Sequence, residues 1–149
     1  MLEQSIKGKQ GFQKVLKTVD GNRTCSSCKL NQSIESYPQR TDQIGKRRGV
    51  CRGCFNKKTK IIWWKLKTRI LDYYGHICKC CGEDDDIFLT IDHINNDGFK
   101  DKYPGGSKKT GKNLYMVIEK LGYPDKFQVL CHNCNFGKKV SKVCPHQKK

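Results

Sequence analysis

An aspartate and a histidine stand side by side where an apolar segment of this sequence ends. In "LTIDHINNDG", residues 89–98, Asp92 and His93 follow an alternating run and precede a polar turn that contains glycine. A neutral imidazole can take a proton from water near neutral pH, and a carboxylate suits a hard divalent ion. An isolated Asp-His pair is more often a surface turn, so its interpretation depends on the residues around it.

The cysteines form the second group of residues with chemical potential. Eight of the ten cysteines fall into two sets of paired C-x-x-C knuckles, namely Cys25, Cys28, Cys51 and Cys54, and then Cys78, Cys81, Cys131 and Cys134. Two such knuckles supply the four thiolates of a tetrahedral zinc site. Because a shell of four thiolates leaves no open coordination position, we predict two structural zinc ions rather than catalytic ones.

Three further ligand-type residues remain outside these sets. The stretch "CKCCG" offers three thiols, and we select Cys78 and Cys81 because they have knuckle spacing and are followed by Gly82. Cys80 is then a spare thiol. Cys144 and His146, in "VCPH", are interpreted as part of a packed tail, with a further metal contact as the alternative.

The helices and strands that must position these residues are predicted from hydrophobic periodicity and from residues that end helices and strands. The predicted organisation is a basic arm over residues 1–23, a zinc-ribbon-like module over 24–56, a linking helix over 57–75 and a second zinc-containing domain over 76–149. The linking helix carries an apolar stripe at three- and four-residue steps, formed by Ile62, Leu66, Ile70 and Tyr73, and Gly75 is its stop signal.

The second half predicts a strand, a long loop, a helix, a second strand and a last helix. The strands are "IFLTIDHI" and "KFQVLC", and the last helix begins within "NCNFGKKVSK". The middle helix, "NLYMVIEKLG", has Asn113 as its predicted N-cap and Gly122 beyond its end. The fold class is therefore a small α+β protein stabilised by zinc.

Composition and charge limit the class of partner. Apolar residues make up 36% of the 149 residues, so the core is thin without added metal. The formal net charge is +16, and two zinc ions bound by eight thiolates would lower it only to about +12. Such a basic chain favours a polyanionic partner, above all nucleic acid.

The amino-terminal residues contain no apolar segment typical of a secretory signal, and no run of about 18 apolar residues could span a membrane. We therefore expect a cytoplasmic protein with reduced thiols, in the host cell cytoplasm if it is encoded by a phage.

The second half resembles an HNH endonuclease with the ββα-metal fold. The matching segments are the knuckle "CKCCG", the strand end "DHI", the following "NNDG" and the closing "LCHNCN", in that order. The likeness covers roughly residues 76–146 and is greatest to zinc-bound, phage-type members, including the endonuclease VII-like group. The amino-terminal cysteine cluster is similar, in a generic way, to the zinc ribbons that accompany such nucleases.

The resemblance implies a role for each matching residue. His93 is expected to be the general base that activates water, while Asp92 and Asn135 hold a catalytic divalent ion, Mg²⁺ or another. Asn135 takes the place of the final histidine of the family motif. Asn113 is the candidate for the middle residue of the motif, and its predicted role as an N-cap explains it equally well.

Lysines close to these residues are predicted to contact phosphates, although a solvated surface would explain them too. They are Lys100, Lys102, Lys108, Lys109 and Lys112 around the long loop, and Lys138 and Lys139 in the last helix.

The resulting hypothesis is a metal-dependent DNA endonuclease, free-standing or homing, that acts on duplex or branched DNA. The alternatives are a zinc-finger nucleic-acid binder without catalysis and a Holliday-junction-type resolvase. The sequence leaves the oligomeric state and the choice between DNA and RNA open.

Overall fold

The chain divides into two compact units, residues 1–58 and residues 59–149. The computed structural model describes residues 21–101, 103 and 109–147. Residues 1–20 of the predicted basic arm lie outside these ranges. Each unit contains one of the two predicted sets of paired knuckles.

The first unit is built around a short antiparallel hairpin. Strand β1 (Asn22–Thr24) pairs with β2 (Asn31–Ser33), and a 3₁₀ helix, Ile34–Ser36, follows. The small core of this unit consists of Cys25, Tyr37 and Cys51. A core of one tyrosine and two cysteines is small, which agrees with the sequence argument that metal must add stability here.

Helix α1 (Arg52–Tyr74) begins five residues before the predicted linking helix and ends where Gly75 takes a positive φ of 107°. Its buried side chains are Leu66, Lys67, Ile70 and Leu71, with Trp63 and Tyr74 partly buried beside them. No helix in the described ranges combines the length and apolar character needed to cross a bilayer.

The predicted apolar stripe of α1 is therefore correct only in part. Ile62 and Tyr73 are both more than half exposed, whereas Lys67 is buried. The ammonium of Lys67 donates to the carbonyl oxygen of Asp86 and lies 5.1 Å from the ring centroid of Trp64. These partners allow a lysine outside the predicted stripe to be buried among apolar side chains.

The second unit contains the antiparallel pair β3 (Leu89–His93) and β4 (Phe127–Cys131). Leu89 faces Cys131 at one end of the pair, and His93 faces Phe127 at the other. The core receives apolar side chains from both strands, which agrees with the apolar, β-branched composition of the predicted strands. The first strand is shorter than predicted, because Ile87 and Phe88 lie in a turn and are more than half exposed.

Helix α2 (Gly111–Lys120) packs Leu114, Tyr115 and Ile118 into the same core. Its N-cap is Thr110, so the expectation that Asn113 caps this helix is wrong. The backbone of Thr110 is extended, which starts the helix before Asn113 and leaves that residue inside the first turn.

Helix α3 (His132–Ser141) follows β4 without a loop, and the Cys131 sulfur accepts a hydrogen bond from the Cys134 backbone N–H at its start. The helix runs back along the β3–β4 pair, so that Lys138 reaches the backbone carbonyl of His93 at the far end of β3. A short 3₁₀ helix, Pro145–Gln147, lies against α3.

On the edge of β3 that faces away from β4, one backbone N–H is paired by a tyrosine hydroxyl. The Ile91 backbone N–H points away from β4 and donates to the Tyr115 hydroxyl at 3.1 Å. Replacing Tyr115 with Phe removes this acceptor and leaves a buried N–H unpaired. We expect Tyr115→Phe to lower the free energy of unfolding by about 1–3 kcal/mol, measured by urea denaturation.

Tyr73→Phe is the matched control, because Tyr73 is largely exposed and loses the same atom. Equal stability of the two variants would contradict the structural role of the Tyr115 hydroxyl.

Candidate metal centres and active site

The four cysteines of the first set converge in the first unit. Their sulfurs all lie within 4.8 Å of one another. The sulfurs of Cys28 and Cys51 are 3.9 Å apart. Tetrahedral geometry with Zn–S bonds of about 2.3 Å places thiolates about 3.8 Å apart, so this group can hold a zinc ion.

Backbone hydrogen bonds prepare the first group for metal. The Cys51 backbone N–H donates to the Cys25 sulfur at 3.3 Å, and Ser26 N–H donates to the Gly49 carbonyl at 3.1 Å. The bond from Cys51 is the main reason that the pKa of Cys25 falls to about 6. A thiolate, the form that binds zinc, is thereby favoured near neutral pH.

The second set converges in the same way in the second unit. The sulfurs of Cys81 and Cys131 are 3.7 Å apart, and the four sulfurs lie within 4.8 Å of one another. Burial disfavours the thiolate of Cys78, but backbone N–H groups, first that of Cys131, outweigh it and lower its pKa to about 7. This second group can also hold zinc.

The knuckle of the second set is part of the sheet. Lys79 N–H donates to the Val129 carbonyl at 3.0 Å, on the side of β4 that faces away from β3. The knuckle therefore pairs with the outer edge of β4, and a zinc ion held by the four sulfurs would also connect it to the start of α3.

The three remaining ligand-type residues are not scattered. Cys80, Cys144 and His146 lie with Cys134 in a further group whose ligand atoms are within 4.8 Å of one another. Burial and the neighbouring thiols, Cys131 first, raise the pKa of Cys134. Cys134 belongs to both groups of the second unit.

Three of the four residues expected at the catalytic centre, all but Asn113, line a single cavity. Asp92 and His93 from the end of β3 face Asn135 of α3 across an open space of about 420 Å³. Asn96, Gly98, Phe99, Lys139 and Lys142 complete its wall. Residues more than 40 positions apart in the sequence thus share one solvent-accessible space.

Two adjacent strand residues normally point to opposite faces of a sheet. Asp92 and His93 both reach the cavity because β3 ends at His93 and the chain turns at once. Asn96, with a positive φ of 56°, lies in that turn, and its N–H donates to the His93 carbonyl at 3.1 Å.

The His93 ring is held on three sides. Its Nε2 lies 2.8 Å from an Asp101 carboxylate oxygen, and its ring centroid is 4.6 Å from that of Phe127. On the third side, a Cβ added at Gly98 would lie 2.6 Å from Nδ1. Nδ1 itself has no hydrogen-bond partner within residues 21–101, 103 and 109–147.

Asp101 has partners of its own. One carboxylate oxygen lies 2.6 Å from the Lys126 ammonium, and the other accepts from the Tyr103 hydroxyl. Burial opposes ionisation of this carboxyl, but the hydrogen bonds from Lys126, Tyr103 and His93 hold its pKa at about 2. Of the two neutral imidazole tautomers, the one that donates Nε2–H to an ionised Asp101 carries its lone pair on Nδ1.

Asp92 is engaged through one oxygen. Its Oδ2 accepts from the Lys138 ammonium at 2.5 Å and from the Gln128 amide at 2.9 Å. Lys138 also donates to the carbonyls of His93 and Ile94. This placement differs from the phosphate contact expected for Lys138, because its ammonium is directed at atoms of the protein.

The donor set fits a hard divalent ion. Asp92 Oδ1 and the Asn135 side chain have no hydrogen-bond partners in the described part of the chain. A carboxylate oxygen and an amide oxygen on the wall of one cavity are the ligand types that Mg²⁺ binds. Two protein ligands leave coordination positions for water and phosphate.

The other predicted residues occupy varied places. Asn113 is exposed in the first turn of α2 and is not part of the cavity wall. Lys139 lines the cavity. Lys100 is exposed, and its ammonium lies 5.6 Å from the Phe99 ring centroid. Lys112 is half-buried. Lys109 is half-buried and has a partner of its own. Lys102 and Lys108 lie outside the described residues.

Three residues around His93 were missed in the sequence. Asp101, Tyr103 and Lys126 form the hydrogen-bonded chain behind the imidazole. The only available signal was an acidic residue in an otherwise lysine-rich loop eight positions after His93. Nothing in the spacing linked it to Lys126.

Comparisons with protein-family models, with curated proteins and with solved structures found no match to this chain.

The close approach of Gly98 to His93 generates a test. A methyl group at this position overlaps the imidazole, so Gly98→Ala must displace the ring or the turn. We expect a loss of about 1–3 kcal/mol in the free energy of unfolding. The ring resonances of His93 should also shift in NMR spectra.

Gly53→Ala is the matched control, since a Cβ there meets no atom within 4 Å. Unchanged His93 resonances in Gly98→Ala would contradict the contact.

Proposed function

We propose that this chain is a metal-dependent endonuclease of the HNH type that hydrolyses phosphodiester bonds in DNA. One observation carries the proposal: Asp92, His93 and Asn135 line the same cavity, next to a four-cysteine group. The resemblance of the sequence motifs to HNH endonucleases implies catalytic or ion-binding roles for these same three residues.

The order of elements supports the same proposal. β3 and β4 are antiparallel neighbours, with α2 between them along the chain, and β4 leads directly into α3. Helix α3 lies against both strands. A ββα-metal core needs two strands and a helix around one ion, and the cavity between the end of β3 and α3 would provide that site.

His93 is the proposed general base. With Nε2–H donated to Asp101, the Nδ1 lone pair is available to take a proton from a water molecule beside the scissile phosphate. The negative charge of Asp101 also stabilises the imidazolium that forms. Phe127 and Gly98 restrict the ring to one orientation.

Asp92 and Asn135 are the proposed ligands of the divalent ion. When bound, such an ion supplies Lewis-acid stabilisation of the phosphate and of the departing sugar oxygen. Lys138 neutralises part of the Asp92 charge and holds the carboxylate in the cavity wall.

The proposed zinc ions have a positioning role. Zinc in the second four-cysteine group would fix the start of α3, and with it the location of Asn135 relative to β3. Zinc in the first group would stabilise a unit that has little other core.

DNA is the proposed substrate because of the basic charge and the cavity rim. Lys139 and Lys142 are exposed on α3 and just after it, and both line the cavity. Lysines at this rim would hold the phosphate backbone across the cavity without reading base sequence. Phe99, which is 64% exposed, adds an aromatic surface to the same rim.

The direct test is cleavage of supercoiled plasmid in the presence of Mg²⁺. We expect nicked or linear product from the wild type. His93→Ala should reduce the rate by roughly 10²- to 10⁴-fold, the usual contribution of a general base. Binding measured by gel shift should be retained.

His132→Ala is the control for this test, because His132 is an exposed histidine that does not line the cavity. Equal cutting by wild type and His93→Ala would overturn the assignment of the base. Linear duplex, cruciform DNA and RNA offered in parallel would separate an endonuclease of duplex DNA from a junction-resolving enzyme or a ribonuclease.

A second candidate function is a zinc-containing nucleic-acid binder without catalysis. The contact between Lys138 and Asp92 favours it, since an ammonium already balances the carboxylate that would hold the ion. This candidate predicts a gel shift of the plasmid with no cutting at any Mg²⁺ concentration.

Asp101 provides a further test of the mechanism. Asp101→Asn keeps the shape of the side chain but removes the charge that orients the imidazole. We expect the cleavage rate to fall by roughly 10- to 100-fold, as when other groups that orient a functional imidazole are removed. Unchanged plasmid affinity with a lower rate would be the supporting result, and an unchanged rate would exclude this role.

A further inference from the structure

The second unit contains more metal-ligand side chains than one zinc ion requires. Six cysteines and one histidine converge there, in two groups that share the Cys134 sulfur. One group is Cys78, Cys81, Cys131 and Cys134, and the other is Cys80, Cys134, Cys144 and His146. The first group is the predicted structural site, and the second was interpreted from the sequence as a spare thiol and a packed tail.

The distances in the second group match a zinc shell. His146 Nδ1 lies 3.4 Å from the Cys134 sulfur and 3.6 Å from the Cys144 sulfur. With Zn–S of about 2.3 Å and Zn–N of about 2.0–2.1 Å, a tetrahedral ion places a nitrogen and a sulfur about 3.6 Å apart. His146 Nδ1 thus lies about as far from the sulfurs of Cys134 and Cys144 as two ligands of one tetrahedral zinc ion lie from each other.

The backbone of α3 allows the segment around Cys144 to approach the Cys134 sulfur closely. Cys144 is 3% exposed although it lies in the short connection between α3 and the 3₁₀ helix Pro145–Gln147. Gly137 of α3 makes the approach possible, because a Cβ there would lie 2.8 Å from Pro145 Cδ and 3.8 Å from the Cys144 sulfur. A segment that merely covers apolar surface does not need a thiol and an imidazole directed at the Cys134 sulfur.

The number of ligands determines the arrangement. Two separate tetrahedral sites need eight ligands, but this cluster supplies seven, and the shared one is fully buried. We propose that the second unit binds two zinc ions bridged by the Cys134 thiolate, the second ion being held by Cys80, Cys144 and His146.

The bridged centre is electrostatically reasonable. Six thiolates and two divalent ions leave an excess of two negative charges, which a chain of net charge +16 accommodates easily. The second ion would connect the 3₁₀ helix Pro145–Gln147 to the first turn of α3. It would therefore restrain the helix that carries Asn135, although the proposal does not depend on nuclease activity.

The test is the zinc content of the purified full-length chain, measured by native mass spectrometry and by elemental analysis. We expect about three zinc ions per chain, one in the first unit and two in the second. The double variant Cys144→Ser/His146→Ala should contain two and remain folded. His132→Ala is the matched control and should retain three, because His132 is exposed and outside the shared group.

Two zinc ions in the wild type, or a disulfide between Cys80 and Cys144 found by mass spectrometry, would overturn the second site. Substitution with ¹¹³Cd tests the bridge itself. Two of three cadmium resonances should show mutual scalar coupling through the Cys134 sulfur. Three uncoupled resonances would exclude a shared thiolate.

Discussion

The position of α3 over the β3–β4 pair is the constraint on which the cavity depends. The helix is fixed at its start by the turn from Cys131 to Cys134, and further along by the hydrogen bonds of Lys138 to Asp92 and to two carbonyls of the chain after it. Between these two attachments lies Asn135. If α3 were attached at only one of these two points, the Asn135 side chain would not be held opposite the end of β3.

The electrostatics of the site follow from the same placement. Asp92 and Asp101 each have a lysine as counter-charge, Lys138 for Asp92 and Lys126 for Asp101. Burial opposes ionisation of Asp101, but the hydrogen bonds from Lys126, Tyr103 and His93 hold its pKa at about 2. The carboxylate that contacts the His93 ring is therefore ionised.

The sequence predicts those parts of the structure whose causes are local. Knuckle spacing identifies both four-cysteine groups, since a C-x-x-C turn is determined within a few residues. The strand that ends near His93 and the last helix are predicted from apolar composition and the following polar turn, with bounds that differ by one or two residues. These local features were enough to bring Asp92, His93 and Asn135 to one cavity.

What the sequence does not predict depends on how distant segments meet. Lys126 lies 25 residues from Asp101, and no periodicity links the two residues, so the hydrogen-bonded chain behind His93 could not be foreseen. The buried face of α1 includes Lys67 because Asp86 and Trp64 supply partners, which hydrophobic patterning ignores. Asn113 is not the N-cap of α2, because the helix begins at Gly111, two residues before it.

Because Lys138 connects α3 to Asp92, chemical modification of the cysteines at the start of α3 would affect the cavity. An oxidant that modifies the thiol of Cys131 or Cys134 acts at the opposite end of β3 from His93. If the first turn of α3 then loosens, the ammonium moves away with the helix, and the Asp92 carboxylate, only 10% exposed, loses its counter-charge. Oxidative injury to sulfur would thus reach the acidic side chain electrostatically, without any reagent entering the cavity.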